Sequence, residues 1–191
     1  MTSRHSTGGT RGARIRRLAW VAWVAGCACV VWTAAAGAHS ASDAYLNLWT
    51  DPAPGGGATQ LHGQWDIALR DLNFVLRIDD DGDGRVSWGE VRRHLAGIEQ
   101  FAFANLELRA PNGKPCRVQP SQELIDEHAD GAYLVLMFDV ACAASATTLK
   151  LDYRLFFAID PSHRGIVTFR NRADVATAVL SPERAAIDLH F

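Results

Sequence analysis

The sequence predicts a mainly β, α+β fold, in which an antiparallel β-sandwich-like body carries one inserted helix–loop–helix. Most of the chain after residue 38 consists of short runs that alternate apolar and polar residues and are separated by turn-forming residues, a pattern typical of antiparallel strands. The stretch at about 68–104 instead follows helical spacing. The composition, with 48% hydrophobic and 21% charged residues over 191 positions, is that of an ordinary globular protein.

Residues 1–38 are predicted to be a signal peptide. Five arginines and no acidic residue precede or accompany an uncharged run from Leu18 to Ala38, which ends in the small-residue triplet Ala36-Gly37-Ala38. A basic start, an apolar run and a small-residue cleavage site are the three parts of a secretory signal. Cleavage after Ala38 would leave a single periplasmic or secreted domain over residues 39–191.

Two other outcomes of export stay open. The run 18–38 could remain uncleaved as a membrane anchor, because about 20 apolar residues suffice to cross a bilayer. The segment Val24-Ala25-Gly26-Cys27 resembles a lipobox, in which Cys27 would carry the lipid. All three interpretations place the body outside the cytoplasm.

The body that remains after residue 38 is acidic. The whole chain has a formal net charge of −2, but residues 39–191 hold fourteen of the 19 basic residues and all 21 acidic residues, which leaves a balance of −7. A surface that binds nucleic acid needs a surplus of Lys and Arg. We therefore expect no nucleic-acid partner, and the charge favours a divalent cation instead.

Strands are predicted on both sides of the helical stretch. Two lie between His39 and Trp65, around a Pro- and Gly-rich loop at 51–57. Further alternating segments follow from Asn105 onward, namely LELRA, ELI, AYLVLMF, TLKLDYRLFF, GIVTF, DVATAVL and AAIDLHF. Turn-forming dipeptides and tripeptides separate them, namely Pro111-Asn112-Gly113, Asp130-Gly131 and Asp160-Pro161.

Two cysteines lie in the body, Cys116 and Cys142. An oxidising compartment favours a disulfide between them, because only one pairing is possible. The alternative is a pair of free, buried thiols.

The segment DDDGDGRVSWGE, Asp79–Glu90, matches the twelve-residue calcium loop of an EF-hand. In that loop, positions 1, 3, 5, 7, 9 and 12 supply oxygen ligands and position 6 is a glycine at a sharp turn. The ligand positions hold Asp79, Asp81, Asp83, Arg85, Ser87 and Glu90, and Gly84 stands at position 6. Arg85 would ligate through its backbone carbonyl, Ser87 directly or through water, and Glu90 through both carboxylate oxygens. The predicted cofactor is Ca²⁺.

Apolar residues flank this loop at helical spacing, as the two helices of an EF-hand require. They are Phe74, Val75 and Ile78 before the loop and Val91, Leu95 and Ile98 after it. Asp71 and His94 stand where further apolar residues would be usual. A simpler interpretation is an acidic turn before a capped helix, because Ser87-x-x-Glu90 is also a capping box. That interpretation leaves three alternating aspartates with no cation between them.

A second calcium loop is not present in the sequence. The acidic segment Asp126–Gly131 lacks alternating ligands and is predicted to be a hairpin turn. Extracytoplasmic calcium modules bind at about 10⁻⁴ to 10⁻³ M. A single hand of this kind would stay loaded, so we expect a structural role for the ion.

Other chemistry has less support in the residues. After cleavage, the α-amino group and imidazole of His39 could chelate a transition metal, with help from His62, His128 or His163 if the fold gathers them. The sequence contains no zinc-protease, serine-hydrolase, phosphate-loop or dinucleotide-binding motif. We therefore expect no enzymatic activity.

Six segments of the body also carry a family resemblance, namely AHSASDAYLNL, QWDIALRDL, DGDGRVSWGE, DGAYLVLMF, LDYRLFFAIDPSHRG and SPER. Over roughly residues 38–191 the chain resembles the extracytoplasmic N-terminal region of bacterial membrane proteins of the HupE/UreJ type. The resemblance implies a sensor or gate domain of a nickel or related metal permease, with a membrane-protein partner. In that family transmembrane helices follow the soluble region and hold the metal-translocating residues, whereas this chain ends at Phe191, so no residue role carries over.

Overall fold

The computed structural model describes residues 42–51, 60–142, 147–171 and 174–190. The predicted signal peptide, its cleavage site, the alternative anchor and His39 all lie outside these ranges. Within them, no helix is long and apolar enough to span a membrane.

The described chain is mainly β with two helices, as the sequence predicts. Its strands are β1 (Asp43–Asp51), β2 (Gln60–Ala68), β3 (Leu106–Arg109), β4 (Arg117–His128), β5 (Gly131–Ala141), β6 (Thr148–Tyr153), β7 (Arg164–Asn171), β8 (Asp174–Leu180) and β9 (Ala186–His190). Its helices are α1 (Leu69–Leu76) and α2 (Trp88–Ala104). The helices therefore lie between β2 and β3, where the change of hydrophobic period predicts a helix–loop–helix.

The strands form two sheets. One has six strands in the order β4-β5-β2-β1-β7-β8, and the other has three in the order β3-β6-β9. Paired neighbours are antiparallel as predicted, with the exception of β1 and β7, which run parallel. Parallel neighbours need a long connection, and here it is the chain from β2 to β6, which includes both helices.

The two sheets face each other across a shared apolar core, in a sandwich-like arrangement. Trp65 of β2 and Tyr153 of β6 meet between the sheets, with ring centroids 5.6 Å apart. Phe103 of α2 reaches the large sheet at Phe138 of β5, where the centroids are 5.5 Å apart. The core thus joins both sheets to the helix that leaves the acidic loop.

The short helix α1 buries a different face from the one the sequence predicts. Leu69 and Leu72 are buried and lie one turn apart, whereas Phe74 is 77% exposed. Two residues correspond to about 200° around a helix, so Phe74 points away from the face that Leu72 buries. The predicted packing role of Phe74 is wrong, while Ile78, Val91 and Ile98 are fully buried as expected.

The predicted strand TLKLDYRLFF is also shorter than expected. β6 ends at Tyr153, and the chain then turns, with amides of Ile159 and Asp160 both donating to the carbonyl of Phe156. Phe156 itself adopts a left-handed φ of 60°. Leu155 and Phe156 are buried nonetheless, which explains why this turn has the apolar composition of a strand.

Candidate metal centre

The acidic loop begins where α1 ends. Arg77 caps the helix in the left-handed conformation, and its amide donates to the carbonyl of Asn73. The side-chain oxygen of Asn73 in turn accepts the amide of Asp79 at 2.9 Å. Ile78, between these two contacts, is fully buried. The first ligand position is thereby held against α1 on one side and the core on the other.

Three aspartates come together in this loop. Asp79, Asp81 and Asp83 each offer a carboxylate oxygen, and these oxygens lie within 4.8 Å of one another. Asp81 and Asp83 are exposed, and Asp79 is partly buried. Carboxylates at such distances repel one another, so the loop needs compensating donors or a cation.

Backbone amides of the loop supply part of this compensation. The two oxygens of Asp79 accept the amides of Gly82 at 2.8 Å and Gly84 at 3.0 Å. Asp81 accepts the amide of Asp83 at 3.1 Å, and Asp83 accepts that of Arg85 at 2.7 Å. A carboxylate offers about four lone-pair sites. Each aspartate can therefore keep these contacts and still accept a further partner.

Two glycines permit this tight path. Gly82 and Gly84 have φ values of 72° and 82°, a region that side chains with a Cβ rarely adopt. The EF-hand pattern predicts the glycine at position 6 of the loop, Gly84. The need for glycine at Gly82 is seen only in the positive φ of its backbone. Both carry the amides that Asp79 accepts, so conformation and hydrogen bonding are linked.

Glu90 closes the loop from the first turn of α2 but is not one of the grouped carboxylates. Its side chain is only 4% exposed. One oxygen accepts the amide of Asp80 at 2.9 Å, and the other accepts both the amide and the hydroxyl of Ser87 at 2.8 Å. The Ser87 hydroxyl also accepts the Glu90 amide at 3.3 Å, which completes a capping box. These hydrogen bonds, led by that from the Ser87 backbone, hold the pKa of Glu90 below its ordinary value.

Asp80 turns away from the grouped aspartates and towards α2. One of its oxygens bonds His94 at 2.7 Å and the other accepts from Arg93 at 2.8 Å. The hydrogen bond with His94 makes the largest contribution to lowering the pKa of Asp80. The polar residue at position 94, unusual for an EF-hand helix, thus has a partner in the loop.

The predicted disulfide is present. Cys116 and Cys142 are bonded, with Cα atoms 4.4 Å apart. They lie just before β4 and just after β5, so the bond joins the open ends of this hairpin. Closing a chain of 26 residues stabilises the fold by about 3 kcal/mol in the chain-entropy model.

A polar network, buried at His163 and Tyr153 and partly buried at Ser42 and Asp71, lies beside α1, and no sequence pattern predicts it. Ser42 donates to Asp71 at 2.9 Å and lies 2.8 Å from Nδ1 of His163, whose Nε2 lies 2.8 Å from the hydroxyl of Tyr153. A serine has one hydroxyl proton. Because that proton goes to Asp71, Nδ1 of His163 must donate to Ser42 and Nε2 must accept from Tyr153. Asp71, the other residue that departs from the expected apolar pattern, is therefore part of this network.

The environment of His163 keeps its imidazole neutral. The residue is fully buried, and burial lowers its pKa to about 4. The serine stands between the carboxylate and the imidazole, whereas in hydrolase triads the histidine stands in the middle. We therefore interpret the network as a cluster of core polar residues that are hydrogen-bonded to one another.

The histidines proposed as transition-metal ligands are not brought together. His62 bonds Asp139 at 2.6 Å, His128 stacks on Tyr133 with centroids 4.0 Å apart, and His163 is buried in the network above. Within the described residues, the one group of three or more potential metal ligands is that of the three loop aspartates. A hairpin forms at the predicted acidic segment, but its turn is only Ala129 and Asp130, because residues 126–128 belong to β4 and Gly131 belongs to β5.

Comparison with known families and curated proteins identified no match for this chain. No protein-family model matches the chain, and a search of curated proteins gives no significant match.

Proposed function

We propose that this protein binds one calcium ion in the loop Asp79–Glu90. The observation that carries the proposal is the grouping of the Asp79, Asp81 and Asp83 carboxylates within 4.8 Å. Ca²⁺ takes 6 to 8 oxygen ligands from carboxylates, carbonyls and water, and alternating aspartates in a tight loop provide the hard donors. Arg85 would contribute its carbonyl and Ser87 its hydroxyl or a bridging water.

The charge of the loop supports this assignment. Residues 79–90 contain five acidic side chains and one basic side chain, a balance of −4 within a body at −7. Asp80 is paired with Arg93 and His94, so the unpaired negative charge is concentrated on the three grouped aspartates. A divalent cation would replace their mutual repulsion by attraction.

Glu90 would complete the site from α2. Its lowered pKa keeps it ionised, and its place in the first turn would tie a bound ion to that helix. One Glu90 oxygen accepts a single amide, whereas the other accepts two donors from Ser87. Ligation through both oxygens would draw on lone pairs that Ser87 shares, so we expect the ion and the capping box to compete for Glu90.

The alternative is an acidic turn that serves only to cap α2. The capping box between Ser87 and Glu90 is formed, and it explains those two residues without a metal. It does not explain three converging aspartates. A glutamine at the third helical position supports a capping box as glutamate does, so Glu90→Gln preserves the cap while it removes an ionic ligand.

Calorimetric titration with Ca²⁺, together with thermal unfolding, tests the proposal on the protein produced from the full chain. We expect a single site and a higher Tm, since a ligand at 100 times its Kd stabilises by about 2.7 kcal/mol. Glu90→Gln and Asp81→Asn should abolish or sharply weaken both signals. Asp188→Asn, which alters another exposed aspartate in β9, is the matched control and should behave as the parent protein does.

Three results would contradict the proposal. The absence of both heat and a Tm shift in the parent protein would leave the capped turn as the explanation. Undiminished binding by both Glu90→Gln and Asp81→Asn would exclude the loop as the site. An equal response to Mg²⁺, which demands a stricter octahedral geometry, would contradict the assignment to calcium.

We also propose that the protein acts in the periplasm or as a secreted protein. The Cys116–Cys142 disulfide supports this location, because such bonds persist in oxidising compartments. At extracytoplasmic calcium levels the loop would remain loaded. The ion would then act as a permanent clamp between α1 and α2.

A further inference from the structure

The strand β8 is an exposed edge of the six-stranded sheet. It pairs with β7 on one side, and among the described residues no strand pairs with its other side. Val175 is 63% exposed and Val179 is 52% exposed on one face of the strand. On the other face, Ala176 and Ala178 border an open cleft between the two sheets. Among the described residues, this edge therefore has no partner along its backbone, and its valine face is exposed.

The opposite edge of the same sheet, β4, is built differently. Its pairing with β5 is interrupted by a bulge between Pro120 and Gln122, and Pro120 has no amide hydrogen to offer a further strand. It also carries charged side chains along its length, namely Arg117, Glu123, Asp126 and Glu127. Bulges, proline and charge are the usual protection of an edge strand against unwanted pairing. In β8 the only charged residue is Asp174, at its start.

The sequence of β8 is suited to pairing with a second copy of itself about a two-fold axis. From Val175 to Val179 it reads Val-Ala-Thr-Ala-Val, a palindrome centred on Thr177. In an antiparallel pairing of two copies about Thr177, each valine lies opposite a valine and each alanine opposite an alanine. Asp174 of one copy would lie opposite Leu180 of the other, so like charges do not meet. An isologous interface requires this kind of self-complementary surface.

From the exposed edge and its palindrome, we propose that β8 pairs antiparallel with β8 of a second copy of this chain, with the two-fold axis at Thr177. The two six-stranded sheets then become one continuous sheet. Paired apolar side chains on each face would cover the exposed valines. Two seven-residue strands bury less than the roughly 1,200 Å² or more of a stable standard-size interface, so the dimer forms in a concentration-dependent equilibrium.

Cysteine cross-linking tests both the dimer and its register. Directly opposite residues in an antiparallel pair have Cα atoms about 4.5–5.5 Å apart, which suits a disulfide. Thr177→Cys should therefore form a covalent dimer under mild oxidation. Val175→Cys should not link to itself, because its two copies would lie four residues apart along the strands, about 13 Å. Val175→Cys mixed with Val179→Cys should link.

A charge variant tests the same pairing without cross-linking. Thr177→Lys would place two ammonium groups opposite each other at the axis, and sedimentation should show a shift from dimer to monomer. Gln122→Lys is the matched control. Both residues are exposed. They lie at the two ends of one row of paired residues that crosses the large sheet, Gln122 on β4 and Thr177 on β8. The control should dimerise as the parent protein does.

The proposal fails if the parent protein sediments as a monomer at every concentration up to the millimolar range, which would leave the edge to a different partner. It also fails if Val175→Cys links to itself while Thr177→Cys does not, because the axis would then lie elsewhere. Neither result bears on calcium binding, which Thr177→Lys should leave unchanged.

Discussion

The acidic loop and the polar network beside α1 satisfy their polar groups in opposite ways. In the loop, the carboxylates of Asp79, Asp81 and Asp83 accept amides that lie at most five residues away. In the network, Ser42 bonds Asp71 and His163, which lie 29 and 121 residues away along the chain. The loop is exposed and organised by local sequence, whereas the network exists only after three distant segments have packed together.

This difference assigns the two regions different roles. Polar contacts in a low-dielectric interior are strong when satisfied and costly when broken, so the network should control the stability of the fold. The exposed loop contributes little to stability by itself, because water replaces its contacts when they are lost. Its three carboxylates remain available for a further partner.

The largest effect is expected at Tyr153, which joins the network to the core. The side chain is fully buried, packs against Trp65 and bonds His163. Tyr153→Ala removes the ring and the hydroxyl, and the free energy of unfolding should fall by about 4 kcal/mol, as for other buried aromatic truncations. Tyr153→Phe keeps the ring and should cost about 1–3 kcal/mol, because Nε2 of His163 loses its donor. Urea unfolding measures both values.

Asp81→Asn in the loop is the comparison for these variants. In calcium-free buffer it should change the unfolding midpoint far less than either substitution at Tyr153, because Asp81 is exposed. If it destabilises the protein as strongly as Tyr153→Ala does, the division between a core network that stabilises the fold and an acidic loop that contributes little is wrong.

The second effect is a loss of stability in mild acid, caused by His163. Its pKa is about 4 in the folded protein and 6.5 ordinarily. Above pH 6.5 the imidazole is neutral in both states. As the pH falls from 6.5 towards 4, only the unfolded chain gains the proton, so folding stability falls by up to about 3 kcal/mol. Urea midpoints at pH 7 and pH 4.5 should show most of this loss.

Carboxylates also change the folding stability with pH, in two ways. Some act at lower pH than His163 does, and one opposes the loss that His163 causes. The lowered pKa values of Asp80 and Glu90 stabilise the fold at neutral pH, and that contribution disappears only as these groups protonate in stronger acid. Burial raises the pKa of Asp71, so its protonation favours the folded state. His163→Gln should flatten the midpoint between pH 7 and 4.5, and an unchanged slope in this variant would contradict the assignment to His163.

The local nature of the loop also explains how much the sequence predicts. The six ligand positions and Gly84 are confined to twelve residues, and the change from strand to helix spacing places α1 and α2 around them. The β-rich fold follows from alternation in the same way. The disulfide follows from the presence of a single possible pair, Cys116 and Cys142.

What the sequence does not predict depends on distant contacts. The network of Ser42 and His163 has no spacing signal, because its members approach one another only through β1 and the turn before β7. The parallel pairing of β1 with β7 has the same origin. The spacing of Phe74 fits a helix face and predicts that it packs, but α1 buries Leu72 on the opposite side. For Glu90, the sequence permits both a ligand and a cap, and the structure shows the cap.

The smallest effects on the free energy of unfolding are expected from replacing a serine by alanine, once in the acidic loop and once in the network. Ser87→Ala removes the hydroxyl that caps α2, and the cost should be about 1 kcal/mol or less, because the Ser87 amide still donates to Glu90. Ser42→Ala removes the donor to Asp71 and the acceptor of His163, and should cost about 2 kcal/mol because both partners stay partly or fully buried. Urea unfolding at pH 7 without calcium compares them directly. If Ser87→Ala costs more than Ser42→Ala, the exposed loop contributes more to the stability of the fold than the network does, and its local hydrogen bonds cannot be treated as replaceable by water.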